Sequence, residues 1–237
     1  RGVFSFCMCP GGILVPSSTE EQTVVLNGMS NSSRSSKWAN AGVVVQIEPE
    51  DVPEEYLKDG AFSLMNFQRD VERKMYQWVK ENAPAGTNPM AAPAQRMADF
   101  CENQISEDLP ATSYHPGAIS APLHEILPPM VSERLQEAFP VVKIRGYYTN
   151  EALLLGVESR TSSPIRIPRD EKYQVELAPG LFPCGEGAGY SGGIVSSAID
   201  GINCAYAAMR SLQPAEPVVE EMEETITVAE PETDSAE

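Results

Sequence analysis

Pro183 to Gly201 reads "PCGEGAGYSGGIVSSAIDG", and Gly187, Gly189 and Gly192 within it fit G-x-G-x-x-G. A short apolar run, Leu181-Phe182, precedes the glycines and a helix-like run follows them. A dinucleotide-binding turn needs more than this. Its helix leads to a second strand, and an acid about 20 residues beyond the glycines holds the ribose. Here the helix, from about Ser191 to Leu212, runs into an acidic tail. The only later strand-like stretch, "ETITV" at 224–228, sits among Glu and Pro. The βαβ unit is not completed, so the motif fails the test of its own context.

The same residues support a different arrangement. Glu186 ends a predicted strand over 180–184, where a carboxylate can accept a hydrogen bond from a sugar or ribityl hydroxyl. The glycines let the backbone approach a cofactor closely. The helix that begins near Gly192 and Gly193 aims its unbonded N–H groups and positive dipole end at whatever lies above. The anionic pyrimidine edge of a reduced flavin suits that position.

Outward from this stretch, the chain divides into four parts. Residues 1–50 read as β-rich, with short β-branched or aromatic runs at 2–7, 12–15, 23–27 and 42–47. Residues 51–149 turn helical and loopy. There Leu64, Phe67, Val71, Met75, Trp78 and Val79 share one helix face. A second short helix is expected within 93–103, and another begins at a Ser132 cap. Residues 150–212 return to β structure, with strands expected at 153–157, 164–167 and 180–184, and close on the long helix. That helix is apolar or small almost all round, which predicts burial. Residues 213–237 form an acidic tail, expected to be disordered.

Composition sets limits. The 237 residues are 42% hydrophobic and 22% charged, as in a soluble globular protein with a sizeable core. No apolar run approaches the roughly 18 residues of a membrane span. The net charge is −17, and no Lys or Arg lies beyond Arg210. That balance argues against nucleic acid, which requires clustered cations. The five cysteines are odd in number and scattered, so a reducing compartment is expected rather than a disulfide framework. Cys7-x-Cys9 is too tight for a zinc knuckle, and no metal site is expected. The chain opens on Arg1 with no basic or apolar leader, which points to a piece of a longer polypeptide.

Five ordered blocks carry a family resemblance: "RGVFSFCMCPGG", "NGMS" with a following Arg, "WANAGVVV", "GVESRTSSPIRI" and "GLFPCGEGAGYSGGIVSSAIDG". Together they resemble an uncharacterised family of FAD-dependent dehydrogenases, of the flavoprotein group with two dinucleotide-binding domains. The resemblance implies an α/β fold: part of an FAD/NAD(P)-binding-type domain, with 51–149 inserted as an α+β cap or substrate region. It implies FAD contacts at Gly185, Glu186, Gly187, Gly189, Tyr190, Gly192, Gly193 and Ile194. It also implies that the true G-x-G-x-x-G unit for the ADP half of FAD lies upstream of Arg1.

Cys7, Cys9, Gly11 and Gly12 are candidates for placement near the flavin. Arg160 and Arg166 are candidates for a substrate carboxylate or nicotinamide phosphate, with salt bridging as the alternative. The function so implied is an oxidoreductase taking electrons from NAD(P)H to a small-molecule substrate. A catalytically incompetent, partner-binding fragment is the alternative. The expected location is cytoplasmic, with plastid stroma as the alternative. No oligomeric state is assigned.

Overall fold

The computed structural model describes residues 2–213, so the tail expected to be disordered lies outside the described residues. The fold is a mixed α/β one built on three small sheets. Strand β1 (Val3–Pro10) pairs antiparallel with β4 (Ala39–Val45), and β2 (Gly12–Pro16) pairs antiparallel with β3 (Leu26–Ser30). After the short α1 (Glu54–Leu57) comes the long α2 (Ser63–Asn82). Strand β5 (Ala92–Arg96) leads directly into α3 (Met97–Cys101). Next come β6 (Ala118–Ser120), α4 (Leu123–Ile126), α5 (Pro129–Ala138) and β7 (Leu153–Leu155). β5 is the centre of the third sheet, parallel to β6 and antiparallel to β7. The last element among the described residues is α6 (Ile194–Ser211).

The core gathers around α2. Phe67, Val71, Met75 and Val79 recur every four residues and are all buried, which is the inward stripe of an amphipathic helix. The helix stops at Asn82 because Ala83 precedes a proline and is extended, with ψ 149°. Against this stripe lie Ala92, Met97, Phe100, Leu123, Leu135 and Phe139. Phe100 and Phe139 meet edge to face at 6.1 Å between centroids.

One internal anchor of the core is ionic. The Glu72 carboxylate is 1% exposed and accepts from Arg160 Nε at 2.9 Å and Nη2 at 2.7 Å, and from the Ser159 hydroxyl at 2.6 Å. This clamp ties α2 to the chain that follows β7. Arg160 also donates to the Thr19 hydroxyl.

Several local expectations change. β5 occupies residues expected to begin a helix, and only 97–101 coil. Its Ala92–Gln95 stretch is buried and hydrogen-bonded on both edges, so tertiary pairing overrides weak local propensity. α5 starts at Pro129, and Ser132 lies inside it, buried, rather than capping it. No strand forms at 164–167 or 180–184. Pro164, Pro168 and Pro183 lack the N–H groups a ladder needs, and the two segments are joined through turns and side chains. α6 forms close to its expected bounds, but its apolar face is open. Ile194 is 92% exposed and Val195 71%, and Ile199, Ile202, Tyr206 and Met209 are also exposed. Cys204 is its one buried residue.

Candidate functional site

The glycine stretch folds as a compact loop over 183–193, and two devices hold it. The first is a network of turns. Gly189 N–H donates to Glu186 O at 2.9 Å, and Tyr190 N–H donates to Gly185 O at 3.0 Å. Gly189 has φ +82°, and a Cβ there would lie 2.5 Å from Ile165 O, so both conformation and space require glycine. Gly185 also has a positive φ, +72°.

The second device is a charged hub. Arg169 pairs with Asp200 of α6 through Nη2 at 2.7 Å and Nη1 at 3.0 Å, and Nη1 also donates to Pro183 O. The pair is nearly out of solvent, with side chains 9% and 14% exposed. Asp200 Oδ2 accepts the Gly185 N–H at 2.8 Å as well. The Arg169 hydrogen bonds, working against desolvation and helped by the Gly185 N–H, hold the Asp200 carboxyl below its ordinary range. The Arg169 guanidinium stacks 3.5 Å from the centroid of the Tyr190 ring and 4.5 Å from that of Tyr173. Arg166 lies on Tyr190 at 4.7 Å and donates to Gly189 O. The Tyr190 hydroxyl donates to Ile167 O. The segment 163–169 thus braces the whole loop.

The loop feeds the start of α6. Gly193 is its N-cap, in extended backbone, and no side chain caps the helix. The first-turn N–H groups therefore have no side-chain acceptor supplied by the cap. Gly187 and Gly192 have open space where a Cβ would stand. The Glu186 carboxylate makes no hydrogen bond to the described residues and is half-buried.

β1 carries both cysteines of the Cys7-Met8-Cys9 stretch. Its register shifts between Phe6 and Cys9, where three steps on β1 face two on β4, so Cys7-Met8 forms a bulge. Cys7 takes the left-handed conformation there, with φ 48°. Gly11 makes the following turn at φ +60°, where a Cβ would lie 2.0 Å from Arg34 O. Gly12 opens β2. Cys7 is exposed, Cys9 half-buried, and both are thiols. Desolvation, then the charges of Glu158, Cys9 and Glu186, push the Cys7 thiol above its ordinary value. Cys7 therefore lies within electrostatic reach of the glycine loop at Glu186. Arg160, by contrast, is committed to Glu72, on the core side of the molecule.

Sequence reading passes over Asp200. Its signal was a lone carboxylate on an otherwise apolar helix face, which calls for a buried cation partner. Glu158 was passed over too. Nothing in its spacing marks it, because its setting is made by the distant β1–β4 sheet. Among the described residues no group of three or more His, Cys, Asp or Glu could hold a metal ion. No helix among them is long and apolar enough to cross a membrane.

Comparison with known proteins places the chain in a family. Residues 1–161 match the family described as FAD-dependent protein, C-terminal domain-like, and the chain belongs to that family. An uncharacterised protein from Clostridium beijerinckii is 40% identical over 209 residues, an alignment covering 86% of this chain. That coverage necessarily includes the glycine loop, which lies beyond the family match. The chain spans 37% of that relative's length.

Proposed function

We propose that a member of this FAD-dependent family with such a loop is the flavin-contacting C-terminal part of an oxidoreductase. The observation that carries the reading is the braced 183–193 loop delivering the uncapped N-terminus of an 18-residue helix. Three features suit a flavin there. The first-turn N–H groups of Ile194 onward would face the anionic edge of the reduced ring. Gly187 and Gly192 leave room for close approach, and the Glu186 carboxylate is available to a ribityl hydroxyl. The described residues offer no strand, glycine turn, helix and strand unit for the ADP half, so that half would be held by the rest of a longer polypeptide. The exposed apolar face of α6 gives such a remainder a surface to cover, since a face of this kind is stable only when buried.

Bound there, FAD would supply hydride acceptance and return, with NAD(P)H as the donor class we infer. This chain's own residues would orient and bind. Arg169 and Asp200 would fix the loop, Tyr190 would key it to 166–169, and Glu186 would grip the ribityl chain. Replacing Glu186 by Ala in the protein made from its full reading frame tests the assignment. Flavin affinity should fall about tenfold, the loss of one hydrogen bond to a charged group. Unchanged affinity would remove Glu186 from the site.

A further inference from the structure

A cavity of about 960 Å³ lies between the β1–β4 sheet, α2, α5 and the segment after β7. Phe4, Phe6, Trp38, Val44 and Tyr147 supply much of its wall. Among the described residues no Lys, Arg or His lines it, and its carboxylates are Glu151 and Glu158. Its volume lies within the range of small-molecule sites and far exceeds an ordinary packing void.

Glu158 is its most telling residue. The strand beside it is cut back to glycine at Gly42. A Cβ there would lie 2.7 Å from Glu158 Oε2 and 2.5 Å from the Phe6 ring. The carboxyl therefore lies across β4 against an aromatic wall. It makes no hydrogen bond or ion pair with any described residue, and desolvation raises it above the ordinary carboxylate range. The Asn40 amide, packed against Gly12 and Gly28, and the Thr161 hydroxyl are also without partners, but these atoms are fully buried and neither group lies open to the cavity. A wall meant only for apolar packing would not carry the unpaired Glu158 carboxyl. With no cation present to balance it, an anion entering this cavity would meet only carboxylates.

We propose that this cavity binds a neutral, predominantly apolar small molecule, and that Glu158 is the residue that excludes anions. Cys7 lies within electrostatic reach of both Glu158 and Glu186. That this molecule is the enzyme's substrate rests on the flavin reading above; the ligand class of the cavity does not.

Two dyes with one ring skeleton provide the test: neutral N-phenyl-1-naphthylamine and anionic 1-anilinonaphthalene-8-sulfonate. They are titrated into this chain carrying Ile199→Glu and Ile202→Glu, which removes the apolar face of α6 as a competing dye site. Trp78→Phe leaves Trp38, on the cavity wall, as the only energy-transfer donor. The neutral dye should quench Trp38 and bind at least about tenfold more tightly than the anionic one, since a like-charge contact in a desolvated site is costly. Glu158→Gln should close most of that gap by strengthening the anionic dye. Equal affinities, a gap that Glu158→Gln leaves intact, or a neutral dye that fails to quench Trp38 would each overturn the proposal. Absence of FAD from the full-length protein would sink the flavin reading and leave the dye result standing.

Discussion

Replacing Arg160 by Ala should unfold this protein at markedly lower denaturant. Glu72 is 1% exposed, and its two oxygens take two hydrogen bonds from Arg160 and one from Ser159. Without the guanidinium, a carboxylate inside the core keeps one hydroxyl partner. Breaking a buried ion pair from one side costs about 3–5 kcal/mol. Arg160 is itself 30% exposed, so water can reach part of the vacated space and the lower end applies. A loss of about 3 kcal/mol corresponds to roughly a hundredfold in the unfolding equilibrium. In a chain of this size it lowers Tm by about 10 °C. Urea unfolding followed by far-UV circular dichroism measures it. The double variant Glu72→Gln, Arg160→Gln should recover most of the loss, because it removes the unpaired charge rather than exposing it. A loss under about 1 kcal/mol for Arg160→Ala, the range of an exposed pair, would refute the clamp. It would leave Arg160 available for a substrate group.

Other outcomes follow from the same structure. Asp200→Asn should raise hydrogen exchange across 183–190 by about two orders of magnitude while exchange in α2 stays unchanged, since it breaks the Arg169 pair at the loop's base. The folded Asp200 carboxyl lies below its unfolded value, so this protection should be complete above about pH 4 and lost as pH falls through the folded value. Exchange in the loop that is insensitive to both changes would argue against the hub. Tyr114→Phe should cost about 1–2 kcal/mol, because the buried hydroxyl donates to Met90 O at 2.7 Å. Desolvation pushes that hydroxyl up to about 12. The native state therefore holds its proton more tightly than the unfolded chain, and stability should fall as pH rises from about 10 to 12. The alkaline slope should be shallower in Tyr114→Phe, and equal slopes would remove Tyr114 as its source.

Where burial follows local pattern, the sequence was legible. The Phe67, Val71, Met75 and Val79 stripe predicted α2, and the run of small and apolar residues from Ile194 predicted α6 to within a few residues. The strands at 12–15 and 153–157 also formed near their expected places. What failed had a common cause. β5 is Ala-Pro-Ala-Gln-Arg, a poor strand by propensity, and it forms because β6 and β7 pair with it from distant sequence. The apolar runs at 164–167 and 180–184 read as strands, but their prolines and the Arg169 hub make them loops. α6 was expected to be buried because it is apolar. Apolarity says that a face needs a cover; it does not say that the cover lies within the same described residues. In the candidate site, the glycines and Glu186 stood out by motif. Asp200 and Glu158 did not, because each gains its meaning from a partner or wall far away in the chain.

A flavin site at the 183–193 loop and the N-terminus of α6 has one plain consequence: the intact protein should carry flavin. The most direct measurement is the flavin content of the protein purified from its full reading frame, read by absorbance and by release of FAD on denaturation. FAD should be retained at about one per chain, the stoichiometry of a single enclosed site. A colourless protein that also fails to take up added FAD would contradict it.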